Sequence, residues 1–142
     1  PRVTKSSAVE EMVLNIDITK TMMDMAGVAA PKSYQGKSLA PLMGNDNAHL
    51  NRNAILVEHL WDNPDIPSSE GIRTERWKYF RYRLINAPEE LYDLKNDPDE
   101  IKNVADDPDF ADKKKELAGQ LMMILNVGKH RNTKSILKSL IN

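Results

Sequence analysis

The chain has 142 residues, 40% hydrophobic and 29% charged, with 20 Lys and Arg against 21 Asp and Glu. That is the composition of an ordinary globular domain, and its balanced charge points neither to nucleic acid nor to a membrane surface. The lack of cysteine excludes disulfides, zinc–thiolate sites and a cysteine nucleophile, and no apolar run of about 18 residues is present to span a bilayer.

The first residues, Pro1-Arg2-Val3-Thr4, are neither an initiator methionine nor a signal peptide and read as a cut inside a longer chain. Leu14, Ile18, Met22 and Met25 then recur at helical spacing, which predicts a helix over about 17–26 with these side chains in the core. Gly27 supplies the left-handed residue that closes it, and Pro31 prevents continuation. A short helix is predicted over about 38–43, capped by Ser38. Gly36-Lys37-Ser38 is not a nucleophile elbow, because Ala40 stands where the closing glycine belongs and no strand precedes it.

Ala54–Trp61 is an apolar run of strand length, holding Glu58 and His59. Two β-prone runs, 70–74 and 77–83, are separated by Glu75-Arg76 and predict a hairpin; 91–94 supplies a fourth strand. After it, Asp97 as N-cap, Pro98 at the first helical position and Glu100 in a capping box predict a helix start. Asp107-Pro108-Asp109 repeats the pattern and launches a longer helix, about 108–127, whose Phe110, Leu117, Leu121, Ile124 and Leu125 should lie on the sheet. The tail 129–142 carries Lys129, Arg131, Lys134 and Lys138 without an acid, and Ile136, Leu137, Leu140 and Ile141 at helical spacing. Three parts follow: a junction segment 1–50, a mixed helix-and-sheet domain 51–128, and the basic tail.

The spacing yields no complete catalytic set. His49, His59 and His130 lie far apart, and Asp93 to Asp99 fail as a calcium loop because Pro98 stands at the glycine position and Val104 at the glutamate position. Glu58 and His59 are adjacent on a strand and so point to opposite faces. The segment 72–83 sets Arg73, Arg76, Lys78, Arg81 and Arg83 among Trp77, Tyr79, Phe80 and Tyr82. It reads either as an amphipathic hairpin with one face in the core or as a binding module for an anionic polymer, a sulfated glycan or nucleic acid.

Four segments in register, NIDITKTMMDMAGV, YQGKSLAPLM, EGIRTERWKYFRY and EELYDLKNDPDEIKN, resemble the C-terminal part of the type I sulfatases. That family's pattern runs D-I-x-P-T-L-L-D-L-A-G, G-x-S-L-x-P-L, I-R-T-x-x-x-K-Y and E-L-Y-D-L-x-x-D-P-x-E-x-x-N. Lys20 departs from it at a proline, Met22 and Met23 at paired leucines, and Gln35 at a frequent Asp.

The resemblance implies an α+β fold, a four-stranded antiparallel sheet packed against a C-terminal helix, with the first helix at the junction with an alkaline-phosphatase-like catalytic domain upstream. It also implies that the formylglycine nucleophile and calcium lie in that upstream domain, since no Ser here begins a Ser-x-Pro-x-Arg motif. The chain then acts as a non-catalytic support at the edge of the substrate pocket, with His59, Trp61, Arg73 and Lys78 as candidates to meet a sulfated sugar. The parent is expected to be exported (periplasmic, lysosomal or extracellular), with no nucleic-acid or membrane partner. Alone, the piece is expected to self-associate through the uncovered first helix.

Overall fold

The computed structural model describes residues 8–43, 48–61, 65–83 and 87–141, with side chains up to residue 126. Residues 1–52 and 53–142 form two compact units.

The first unit is organised by α1 (Asn15–Met25) and a 3-10 turn, Ala40–Leu42. Asp17, in the first turn of α1, reaches back to accept the Leu14 N–H at 2.8 Å. The other end closes as a Schellman motif: Val28 N–H donates to the Met23 carbonyl (2.8 Å), Gly27 N–H donates to the Asp24 carbonyl (3.2 Å), and Gly27 has φ 70. The buried residues of the helix are Asp17 and Thr21, while Ile18, Met22 and Met25 are exposed. This corrects the core-facing stripe read from periodicity. The helix turns its polar edge inward because that edge has partners there.

Those partners are the second sequence motif and Arg52. Asp17 accepts the Lys37 N–H at 2.8 Å, and Arg52 bonds both of its carboxylate oxygens. Thr21 Oγ1 donates to the Asp17 carbonyl and accepts the Leu39 N–H at 2.8 Å. Tyr34 donates its hydroxyl to the Ile16 carbonyl at 2.9 Å. Gly36 passes so close to α1 that a Cβ there would sit 2.5 Å from the Ile16 carbonyl oxygen. Ser38 Oγ accepts the Ala40 N–H and donates to Asp24.

The second unit is a meander of four antiparallel strands in the order β1 (Ile55–His59), β2 (Ser69–Arg73), β3 (Trp77–Tyr82) and β4 (Glu90–Asp93). The α+β class expected from the sequence is therefore found. The β2–β3 hairpin turns through Glu75-Arg76, held by Thr74, which donates its N–H to the Trp77 carbonyl and accepts the Trp77 N–H on its hydroxyl. A 3-10 turn, Pro108–Phe110, leads into α2 (Ala111–Ile141), with Asp107 accepting the Asp109 N–H at 3.0 Å. Leu117 and Leu121 of α2 join Ile72, Tyr79 and Leu91 of the sheet in the core, with Phe110, Ile124 and Leu125 packed against them as expected. Each such side chain contributes roughly 1.5–3 kcal/mol by leaving water.

Two readings of this region need correction. No helix starts at Asp97: its carboxylate accepts the Ile101 and Lys102 N–H groups in a non-helical loop, and Glu100 adopts φ 56, outside the helical region. Glu100 pairs with Lys78 instead of closing a capping box. The backbone of α2 also continues as one helix to Ile141, past the end near residue 127 read from the sequence. The amphipathic pattern of Ile136, Leu137, Leu140 and Ile141 lies outside the described side chains, as do residues 1–7 and the turn residues 62–64.

Candidate functional site

The strand register sorts the sheet's side chains onto two faces. One face carries Ile72, Tyr79 and Leu91 and meets α2. The other carries Ile55, Val57 and His59 from β1, Arg73 from β2, Lys78, Phe80 and Tyr82 from β3, and Glu90 and Tyr92 from β4. All three candidate residues that lie in strands, His59, Arg73 and Lys78, fall on this second face. Glu58 falls on the first, so the adjacent acid and imidazole diverge as expected.

The candidates do not form one cluster. Arg73 pairs across β1 with Ile55 and across β3 with Lys78, whereas His59 pairs with Ser69 at the far end of β1. Four residues of extended chain separate the two ends, about 13 Å. His59 and Trp61 thus belong to one end of the sheet and Arg73 and Lys78 to the other.

Along the hairpin, from the Arg73 end to the His59 end, the cations are largely engaged. Lys78 pairs with Glu100 and lies 5.1 Å from the centre of the Phe80 ring. Arg76 binds both oxygens of Asp93 at 2.8 and 2.7 Å. Arg81 bonds Glu70 through Nε at 2.7 Å, with Arg83 3.3 Å from the same carboxylate. Of the five hairpin cations only Arg73 has no carboxylate partner among the described residues. Glu90 gathers the Tyr82 and Tyr92 hydroxyls, the latter at 3.0 Å. Burial and that hydrogen bond push the Tyr92 hydroxyl up to about 12.

The His59 end is different. His59 Nε2 is shielded from solvent and has no hydrogen-bond partner among the described residues. Buried polar atoms in folded proteins almost always have one. Two residues on, Trp61 is 72% exposed, with Leu60 and Ile66 also exposed nearby in the sequence. An exposed aromatic surface of this kind can stack on a sugar ring.

Sequence reasoning missed the most connected residues of the motifs. Asp17, Asp93 and Asn103 hold chain segments together: Asn103 accepts the Leu91 and Ala105 N–H groups and donates to the Glu89 carbonyl. The signal was the position of each inside a motif, which does not say what it binds. No group of three His, Asp or Glu side chains among the described residues is placed to hold a metal. With neither cysteine nor a Ser-x-Pro-x-Arg motif, the sequence holds no precursor of formylglycine.

Comparison with known proteins agrees with this architecture. The N-acetylglucosamine-6-O-sulfatase of Bacteroides thetaiotaomicron is 30% identical over 122 residues, covering 82% of this chain and 22% of its own. BT4656, solved in complex with its substrate D-glucosamine-2-N,6-O-disulfate, is 30% identical with a TM-score of 0.69, over 78% of this chain and 23% of that one. BT1596, a 2-O GAG sulfatase, has 27% identity and a TM-score of 0.76 over 94% and 30%. The chain therefore spans less than a third of the length of these relatives. Residues 1–126 match the family described as N-sulphoglucosamine sulphohydrolase, C-terminal, and the chain belongs to that family of sulfatase C-terminal domains.

Proposed function

We propose that this chain is the non-catalytic C-terminal subdomain of a sulfatase acting on a sulfated glycan, and that the His59–Trp61 end of its sheet borders the substrate pocket. The family match over residues 1–126, in a chain spanning only 22% of its sulfatase relative, carries the first part. Exposed Trp61, and His59 two residues before it, whose Nε2 has no hydrogen-bond partner among the described residues, support the second. On this reading the nucleophile and calcium belong to the larger part of the enzyme, and in an exported parent the glycan meets the enzyme outside the cytoplasm.

The role of the chain's own residues is recognition. Trp61 offers a flat apolar surface to a sugar ring, and His59, with its Nε2 shielded from solvent, fixes the strand end that presents it. Such contacts orient the sulfate ester without taking part in bond cleavage. Arg73 and Lys78, at the other end of the sheet, cannot reach the same sugar unit as His59. They come into play only with a glycan several units long.

The experiment is steady-state kinetics on the full sulfatase with His59→Ala and Trp61→Ala. Each is expected to raise KM or lower kcat/KM by roughly 5- to 50-fold on a sulfated saccharide, about 1–2 kcal/mol of binding. A small aryl sulfate lacking the sugar should be affected little. Unchanged turnover of the saccharide would remove both residues from the pocket.

A further inference from the structure

The stretch 53–72, which carries β1, the chain that follows it and β2 as far as Ile72, holds four acids, Glu58, Asp62, Asp65 and Glu70, and no Lys or Arg. At the His59 end of the second face, Ser69 of β2 lies between His59 of β1 and Tyr82 of β3. The Tyr82 hydroxyl donates to Glu90 on the same face.

None of the hairpin cations stands at this end of that face. Arg81 and Arg83 are bound to Glu70, which shares the first face with Ile72. Arg73 and Lys78 form one cross-strand row at the opposite end, about 13 Å away, and Lys78 is paired with Glu100. Guanidinium and ammonium groups are the usual holders of a sulfate or a carboxylate. An anionic group brought to the His59 end would lose water without a counter-charge and would meet the field of the acids in 53–72. A hydroxylated ring without charge meets neither cost.

We infer that the sugar unit met by this end of the sheet is uncharged, neither sulfated nor a uronate, so that the sulfatase prefers glycans in which such a unit neighbours the sulfated one. This rests on the reading of the His59–Trp61 end as the edge of the substrate pocket. Exposed Trp61 gives the unit an apolar surface to lie on, and the acids of 53–72 disfavour an anionic alternative. Selectivity at this edge thus comes from what it repels as much as from what it holds.

The experiment is kinetics of the full sulfatase on two disaccharides with the same sulfated sugar, one carrying a neutral hexose beside it and the other a uronate. At low ionic strength kcat/KM is expected to be about tenfold higher with the hexose, and the gap to shrink as salt is added. Ile66→Lys, at a position 54% exposed, and Ser69→Lys each add a cation to this end and should narrow the gap, chiefly by improving turnover of the uronate substrate. Equal turnover of the two disaccharides, or a preference for the uronate, would overturn the inference. So would a gap that both lysine variants leave unchanged, because it would arise elsewhere in the enzyme. Trp61→Ala without effect on either disaccharide would instead defeat the pocket reading itself, whatever the size of the gap.

Discussion

Arg52 grips Asp17 with two hydrogen bonds, Nη1 to Oδ2 at 2.6 Å and Nη2 to Oδ1 at 2.7 Å, and both side chains are almost wholly buried. This pair joins a motif near residue 17 to the chain just past residue 50, and the Lys37 N–H completes the set around the same carboxylate. Removing one partner leaves the other charged and dry. Arg52→Ala or Asp17→Ala is therefore expected to destabilise the first unit by about 3–5 kcal/mol. The pair Asp17→Leu with Arg52→Met should cost less than the sum of its parts. Urea denaturation of the parent, Asp17→Leu, Arg52→Met and the double variant is the measurement, and additive losses would show that the pair is not coupled.

Acid should release the same clamp. Burial opposes the Asp17 charge, but hydrogen bonds from Arg52, Lys37 and Leu14 outweigh it and hold the pKa at about 2, below the ordinary 3.8. For Asp93 the Arg76 hydrogen bond leads, again giving about 2. A carboxylate whose pKa is lowered on folding stabilises the protein fully above its unfolded value, and this is lost as pH falls through the folded value. Stability should thus hold to about pH 4 and decline toward pH 2, with Asp17 contributing on the order of 2 kcal/mol. Thermal melts across that range in Asp17→Asn should show a shallower decline.

Three glycines make opposite predictions. At Gly36 a Cβ would meet the Ile16 carbonyl oxygen at 2.5 Å, and at Gly71 the Tyr79 carbonyl oxygen at 2.6 Å and the Phe80 ring at 2.7 Å. Both obstacles begin with backbone, so Gly36→Ala and Gly71→Ala should each cost about 1–3 kcal/mol. Gly119, inside α2, has nothing within 4 Å of its Cβ position. Gly119→Ala should stabilise by about 0.5–1 kcal/mol. Equal effects at all three, in denaturant midpoints, would contradict the packing described.

The hairpin cations should matter to the fold more than to any polyanion. Arg76→Ala and Arg81→Ala strip the buried Asp93 and Glu70 of their main partners. Both variants are expected to lower the denaturant midpoint, Arg81→Ala by about 1–3 kcal/mol of stability. Affinity for a DNA duplex, read by fluorescence anisotropy at several salt concentrations, should change less than about twofold, because these guanidinium groups are already neutralised. A large drop in affinity with unchanged stability would favour the polyanion reading.

The strands and the start of the long helix were legible because β-prone runs and caps are local signals. Trp77 to Tyr82 is rich in aromatic strand formers, and Asp107 before Pro108 does accept the Asp109 N–H at a helix entry. The orientation of α1 was not legible, since Ile18, Met22 and Met25 have the spacing of a core face. What decides it is a hydrogen-bond set assembled from residues up to Arg52, which no local window contains. Asp97 misled for the converse reason. Its side chain does cap N–H groups, but those of a loop that Glu100 bends out of the helical region. At the candidate site, residue types suggested four members, and only strand register showed them divided between two ends of the sheet.

The simple order of the four strands bears on how the protein is made. Every strand pairs with its neighbour in sequence, and even the most distant partners, Ile55 and Arg73, are close along the chain. Closing such short loops costs little entropy, so the sheet can assemble quickly from its own residues. A nascent chain needs no remote segment to complete these ladders as they leave the ribosome.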